Sequence, residues 1–335
     1  MKALISLARG TQYETFFTPE NERLASSLSS ILWNDAPRPL TKAQVSERIA
    51  DCDCYVTLWG SARLDADILA HAPRLRLLTH LAGTVVPFVS DEMWERGIRV
   101  ISGNAYFAES VAEGTVGYML AALRDIPFYS GRLQREHIWK RPEDLTRGLL
   151  GRTVGLVSYG EIARYLVRLL APFRVRIKVY DVAPLPAADV AAYGLEQTSL
   201  ADIFSTCDVV SLHTPLYDAT HHLIGRDLLR LLRPGALFVN TSRGAIVDQR
   251  ALEQELATGR FRAVLDVYEQ EPPADDCPLF SMENVLMMPH MGGPTVDLHS
   301  RITHDLLLES AAYLDRGEPL RHEITRDRAR HMSSF

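Results

Sequence analysis

An apolar run, Thr153-Val154-Gly155-Leu156-Val157, leads into the turn Ser158-Tyr159-Gly160-Glu161-Ile162-Ala163, and a helical pattern continues from Arg164 to Leu170. A second apolar run, Ile177-Lys178-Val179-Tyr180, ends on Asp181. Strand, tight turn, helix and strand closed by an acid make the pattern of a dinucleotide-binding βαβ unit, with an ordinary βα turn as the alternative that the rest of the chain must decide. Gly160 lets the backbone approach a pyrophosphate closely, and Ala163 lets the helix pack on the strand. Unpaired N–H groups and the positive dipole end of a helix starting near Gly160 then face the phosphates. Asp181 is placed to accept hydrogen bonds from ribose hydroxyls and to repel a 2′-phosphate, which favours NAD(H) over NADP(H). Ser158 stands where the fingerprint has its first glycine. We expect it to keep a compatible backbone, with its hydroxyl facing phosphate or solvent.

Ligands of open α/β sheets bind beyond the carboxyl ends of the strands, so the polar residues following each later apolar run are the next candidates. Val209–Leu212 runs into His213-Thr214-Pro215, and Ala236–Asn240 into Thr241-Ser242-Arg243-Gly244. Ala263–Leu265 runs into Asp266, with Glu271 after a short turn, and Val285–Met288 into Pro289-His290. Each has a plain structural reading. Arg243 could be a surface cation, Glu271 a loop carboxylate before Pro272-Pro273, and His290 a satisfied core histidine. An arginine, two carboxylates and two histidines at successive strand ends favour a shared site on the edge that holds the dinucleotide.

The elements that must position these residues are legible in outline. Helical patterns at Arg226–Leu232 and Gln249–Thr258 separate the later strands and stop at Arg233-Pro234-Gly235 and Thr258-Gly259. With the opening unit this makes a full doubly wound sheet. The first hundred residues alternate strands (Ala3–Leu7, Tyr55–Leu58, Leu75–Thr79, Ile98–Ile101) with helical stretches (Lys42–Ile49, Ala66–Ala70, Asp91–Arg96), which implies a second, smaller parallel sheet. Glu109–Arg124 is helical but rich in small residues, and each interior glycine costs roughly 1 kcal/mol relative to alanine. Close packing of another backbone would offset that cost, so it reads as a connecting helix wedged between domains, with a frayed helix as the alternative. Gln134–Arg147 reads as a charged loop, Val296–Asp315 as a final amphipathic helix, and the tail from Arg326 to Phe335 as poorly ordered.

A chain of 335 residues can hold two domains with their own cores, and a net charge of −6 leaves no footprint for nucleic acid or an anionic membrane. No apolar run is long enough to span a bilayer, and the expected compartment is the cytoplasm. Cys52 and Cys54 are separated by one residue, too tight for the usual zinc spacing, so the cysteines read as buried or incidental thiols. No metal site is expected.

Three segments carry a resemblance to a known family. Asn240-Thr241-Ser242-Arg243-Gly244-Ala245-Ile246-Val247-Asp248, Leu265-Asp266-Val267-Tyr268-Glu269-Gln270-Glu271-Pro272 and Met288-Pro289-His290-Met291-Gly292-Gly293 resemble the signatures of the D-2-hydroxyacid dehydrogenases. Ser211–Leu216 and Ser110–Glu113 are similar to further motifs of that family, and the likeness runs from about residue 50 to 315. The resemblance implies two doubly wound parallel-sheet domains. A Rossmann-type dinucleotide domain (residues 104–295) is inserted in a flavodoxin-like substrate domain (residues 1–103 plus 296–335). It also implies dimerisation through the region of the connecting helix.

By the same resemblance, His290 is the acid/base, protonating a carbonyl oxygen as hydride arrives. Glu271 pairs with it, since a neighbouring carboxylate stabilises imidazolium. Arg243 grips a 2-oxoacid with its planar fork, and Asp266 orients the nicotinamide carboxamide. The backbone at Ala82 and Gly83 holds the substrate carboxylate. Cofactor contacts are implied at Ser158, Tyr159, Gly160, Glu161, Ile162, Asp181, His213, Thr214, Pro215, Thr220, Thr241, Ser242, Arg243, Asp266, His290 and Gly293.

Tyr106 and Phe107 either shape the substrate pocket or pack at a hinge. Leu81, Thr84 and Trp139 are further candidates for the pocket wall, with a core or interface role equally open for Trp139. Arg63, Arg74 and Arg76 read as solvated charges rather than a phosphate clamp. The expected activity is interconversion of a D-2-hydroxyacid and its 2-oxoacid with NAD(H), by a homodimer acting on a small molecule. An NAD(H)-sensing, corepressor-like binding protein and a formate dehydrogenase-like enzyme are the alternatives. Glu271 speaks against the latter, whose relatives pair the histidine with an amide.

Overall fold

The computed structural model describes residues 1–333. The chain divides into two compact units, one built from Met1–Phe107 and the segment from Pro294 onward, the other from Ala108–Gly293.

The first unit is a five-stranded parallel sheet of β1 (Lys2–Ile5), β2 (Ser30–Trp33), β3 (Cys54–Thr57), β4 (Leu77–His80) and β5 (Arg99–Ser102), in the order β2-β1-β3-β4-β5. That is the flavodoxin-like winding. Both faces are covered, so the central strands are apolar at successive positions instead of alternating. Ala3 and Ile5 join one core with Phe16, Ile302 and Leu306. Leu4, between them, joins the other with Val45, Ile49 and Ile68. The edge strand β2 and the helices Thr11–Phe16 and Pro19–Leu28 escaped the sequence reading. No residue of β2 is fully buried, so it carries little of the hydrophobic signal that marks the other strands. The C-terminal segment is not the loose tail expected. Thr325 caps a short helix, Arg326–Ala329, and Ile324 and Ala329 are buried in the core. The end of that expected tail, residues 334–335, lies outside the described residues.

The second unit is a seven-stranded, wholly parallel sheet. Its strands are β6 (Thr153–Val157), β7 (Arg176–Tyr180), β8 (Glu196–Gln197), β9 (Val209–Leu212), β10 (Leu237–Asn240), β11 (Arg262–Leu265) and β12 (Val285–Met287). The order β12-β11-β10-β9-β6-β7-β8 is the Rossmann winding with one strand more. The chain reverses direction between β6 and β9, and this switch point opens the crevice into which the βαβ turn and the later strand ends project.

The small-residue helix runs over Asn104–Leu123 and carries the chain from the first unit into the second. A Cβ on Gly114 would sit 3.3 Å from the carbonyl oxygen of Gly292, so one glycine makes the close backbone packing expected of it. Gly117 faces open space. The stretch read as a loop from Gln134 instead begins inside a helix, Ile126–Glu136. All four cysteines are buried, and burial pushes the Cys52 thiol up to about 11 and that of Cys54 to about 12. No helix among the described residues is long and apolar enough to cross a membrane.

Candidate active site

β6 ends at Val157, and the chain turns at Ser158 with φ 76°, in the left-handed region. This region costs an L-residue roughly 1–2 kcal/mol, which is why glycine is usual here. The Ser158 N–H donates to the Tyr180 carbonyl at 2.7 Å. Its hydroxyl pairs with that of Thr214 at 2.9 Å, so a neighbouring strand end holds it, a partner that the expectation of phosphate or solvent did not include. The Ser242 hydroxyl donates in turn to the Thr214 carbonyl. The ends of β6, β9 and β10 are thereby tied together by three of the sequence-derived candidates.

Gly160 starts the helix Glu161–Leu170, which also carries Ile162, without a side-chain cap. A Cβ at Gly160 would meet nothing within 4 Å, so the space over this helix end is open to an anion. The Asp181 carboxylate accepts from the N–H of Tyr159 at 2.7 Å and of Ala183 at 2.8 Å. It fixes the turn while keeping a lone pair on each oxygen for a diol. These features fit a dinucleotide.

His213 is buried, which pushes its imidazole down to about 4, and its Nε2 has no partner among the described residues. Thr220 donates to the Pro215 carbonyl at 2.7 Å and accepts from the Tyr217 N–H at 3.0 Å, so its side chain braces its own turn. Thr241 pairs with Thr115 at 3.1 Å. The Gly293 carbonyl accepts from Ser110 at 3.4 Å.

The ends of β11 and β12 hold the charged cluster. Asp266 is only 2% exposed. Its carboxylate accepts from the N–H groups of Met291 and Gly292, both at 2.8 Å, and from the Tyr118 hydroxyl at 3.4 Å. Its main-chain carbonyl accepts from the His290 N–H at 2.8 Å. Asp266 thus pins the loop on both sides of the His290 side chain, whose backbone has φ 55°. Glu271 accepts from the Tyr268 N–H at 3.0 Å with one oxygen and faces His290 Nδ1 at 2.6 Å with the other. A carboxylate only accepts, so Nδ1 carries the proton, and Nε2 is the nitrogen that can take or give one to a ligand.

Arg243 donates to the carbonyl of Ser242 at 2.7 Å. Burial lowers its pKa, and the negative charge of Glu271 acts in the opposite sense. It forms no ion pair among the described residues. A half-buried guanidinium with donors left beyond that one bond is a site for a carboxylate. Gly244 explains how Arg243 and Glu271 come together. A Cβ there would lie 1.9 Å from the carbonyl carbon of Tyr268, so the two backbones pass in direct contact.

Sequence reasoning overlooked Gly244 as a structural requirement, along with Tyr118 and Tyr268. The Tyr268 hydroxyl lies 3.0 Å from both the Leu265 and Met288 carbonyls and joins the ends of β11 and β12. Its only prior signal was its place inside the Leu265–Pro272 motif.

In the first unit, Ala82 is fully enclosed, and the Gly83 carbonyl accepts from the Ser102 hydroxyl at 3.2 Å. The Phe107 ring lies 3.5 Å from where a Gly83 Cβ would be, with Trp59, also overlooked, edge-on to it at 6.0 Å. Tyr106 donates to Asp305 at 2.6 Å and stacks on His322, contacts in keeping with the packing role. Leu81 is fully buried in the core and is no pocket wall. Thr84 donates to the Ser333 carbonyl at 2.8 Å. Trp139 is 70% exposed, which rules out the core role. Arg63 and Arg76 donate to main-chain carbonyls of Val89 and Leu314, and Arg74 pairs with Asp53.

A seven-stranded Rossmann sheet whose strand ends gather an arginine, two carboxylates and a histidine defines a dinucleotide-dependent α/β enzyme. Residues 116–292 match the family described as D-isomer specific 2-hydroxyacid dehydrogenase, NAD binding domain. The chain is 34% identical over 292 residues to a glyoxylate reductase of Korarchaeum cryptofilum, covering 86% of each chain. It is 32% identical over 281 residues to a D-3-phosphoglycerate dehydrogenase of Methanocaldococcus jannaschii, covering 83% of this chain but only 53% of that one. A crystal structure of a Thermus thermophilus protein superposes with a TM-score of 0.76 at 28% identity, covering 97% of this chain and 100% of that one. The chain belongs to the D-isomer-specific 2-hydroxyacid dehydrogenases, and it is an NAD-dependent oxidoreductase of that family.

Proposed function

We propose that this enzyme interconverts a small D-2-hydroxyacid and its 2-oxoacid, with His290 as acid/base, Glu271 as its partner and Arg243 as the grip on the substrate carboxylate and carbonyl. The observation that carries this reading is the His290–Glu271 pair at 2.6 Å, beside a half-buried arginine that forms no ion pair among the described residues. When bound, the nicotinamide supplies or accepts the hydride. The protein's part is positioning and proton transfer. Arg243 orients the 2-oxoacid through two parallel hydrogen bonds. His290 Nε2 delivers a proton to the carbonyl oxygen, or removes it from the hydroxyl in reverse, and Glu271 stabilises the imidazolium state. Asp266 keeps the ring in place by holding the N–H groups that follow it, besides the role at the carboxamide that the resemblance implies.

For the cofactor, the reading favours NAD(H), since Asp181 at the end of β7 has lone pairs for a ribose diol and its charge would repel a 2′-phosphate. A substrate with the glyoxylate or hydroxypyruvate skeleton is in keeping with the named relatives. Arg63 and Arg76 are engaged with main-chain carbonyls and Arg74 with Asp53, which supports a substrate without a phosphate. The exposed apolar side chains of Ile126, Phe128, Trp139, Leu145 and Leu150 support a homodimer formed through this segment. A monomer in sedimentation at micromolar concentration would refute that assembly. The absence of a membrane-spanning helix among the described residues is compatible with the cytoplasm as the compartment.

Mixing the purified enzyme with NADH and a panel of 2-oxoacids should consume NADH, and His290→Ala should abolish consumption while NADH still binds. Assembly driven by NADH without turnover of any 2-oxoacid would instead favour the sensing protein.

A further inference from the structure

Outside the dinucleotide crevice, the second unit presents an exposed cluster of three groups able to ligate a metal. His221, His222 and Glu269 each offer one donor atom, and these atoms lie within 4.8 Å of one another. His222 Nε2 faces a Glu269 oxygen at 2.8 Å. The two imidazoles stack with centroids 4.0 Å apart and planes 28° apart. Consecutive side chains of an extended chain point to opposite sides. Here His222 has φ 50°, a left-handed turn that brings both rings to one side.

Both segments are anchored through their backbones. The His222 N–H donates to the Ala245 carbonyl at 2.8 Å, and the Glu269 N–H donates to the Gln249 side chain at 2.9 Å. The donors are therefore presented by braced backbone on exposed side chains. Two imidazole nitrogens and a carboxylate oxygen are a donor set that suits first-row divalent ions, and it is a known zinc set when a fourth position is left to water. With bonds of about 2.0–2.1 Å, tetrahedral ligand atoms stand roughly 3.4 Å apart. Binding would widen the His222–Glu269 separation of 2.8 Å slightly and draw the other donor atoms in from at most 4.8 Å.

We propose that His221, His222 and Glu269 form a surface site for a divalent transition-metal ion, with zinc as the fitting occupant. The ion would join the turn at His221-His222 to the loop that carries Glu271. Glu269 lies 47 residues from His222, so no spacing motif announces the site in the sequence.

The test is calorimetric titration of Zn²⁺ into the full-length protein and three variants. His222→Asn suits the left-handed backbone, Glu269→Gln preserves shape, and His290→Ala removes the competing Glu271–His290 pair. The wild type should bind one equivalent. His222→Asn and Glu269→Gln should each weaken that event by at least about tenfold, and His290→Ala should leave it unchanged. The proposal is overturned if the wild type binds no zinc, if affinity survives both surface variants, or if only His290→Ala abolishes it.

Discussion

Gly244→Ala tests how the Arg243 and Glu271 segments are brought together. The added Cβ would lie 1.9 Å from the Tyr268 carbonyl carbon, 2.0 Å from its oxygen and 2.3 Å from the Glu269 nitrogen. Ordinary contact for a Cβ begins at 3.4 Å, so one of the two backbones must move by about 1.5 Å. All three obstacles are main-chain atoms, and no side chain can swing away to absorb the clash. The peptide that must move carries the N–H that holds Glu271, and Glu271 in turn holds the His290 ring. A misplacement of 1 Å can cost about 100-fold in rate, so turnover with NADH and the best 2-oxoacid should fall by roughly 100-fold or more. Overpacking of this kind also costs about 1–3 kcal/mol of stability. The dinucleotide turn at Ser158, Gly160 and Asp181 follows β6 and β7 and meets the Gly244 segment only through the Thr214 link to Ser242 described above, so NADH affinity, titrated by fluorescence, should fall far less than turnover does. Turnover within about fivefold of wild type in a folded Gly244→Ala protein would refute this account.

Ser158→Gly relieves a left-handed serine, a gain of roughly 1–2 kcal/mol, but loses the Thr214 hydroxyl partner, about 1 kcal/mol, and adds freedom to the unfolded chain, about 0.4–1 kcal/mol. The terms nearly cancel in folding stability, and Gly160 and Asp181 are untouched, so NADH affinity should change by less than about tenfold, or 1.4 kcal/mol; a larger gain in a binding titration would mark the serine as a defect of the site. Asp181→Ala should weaken NADH binding and raise the NADPH-to-NADH ratio of kcat/KM by at least about tenfold, and an unchanged ratio, or a wild type that already prefers NADPH, would refute the ribose assignment. Burial pushes His80 down to about 3 and His213 to about 4, so both stay neutral in the folded protein while the unfolded chain protonates near 6.5. Their contribution is present above pH 6.5 and is lost as pH falls towards 4 for His213 and 3 for His80. The loss is on the order of 3 kcal/mol for His213 alone; urea unfolding should show this fall, lessened in His213→Asn, and equal stability at pH 7 and pH 4.5 would contradict it.

Much of the fold was legible in the residues. The βαβ unit announced itself because strand, turn, helix and terminal acid are adjacent in the chain, and their roles depend on local backbone geometry. The later strands were visible as apolar runs because both faces of a parallel sheet are covered. Elements without that burial were missed. β2 and β8 lie at sheet edges, and the helix Ile126–Glu136 leaves Ile126, Phe128 and Leu133 exposed, so neither kind shows the pattern that a covered core imposes.

The sequence by itself determined the residue types at the strand ends and the order in which they occur, and hence the chemistry open to the protein. Tertiary structure decided which groups meet. Glu271 and His290 are 19 residues apart in the chain, and they touch only because β11 and β12 are neighbours and Asp266 binds the loop after β12. Ser158 was read as a departure from the glycine fingerprint that keeps a compatible backbone, and only the packing of β6 beside β9 supplied Thr214 as the partner of its hydroxyl. Gly244 looked like part of a motif, and only the passage of the Tyr268 peptide beneath it showed that a side chain has no room there. Local geometry follows from neighbouring residues, whereas contacts between distant segments depend on which strands pair and how closely their loops pass.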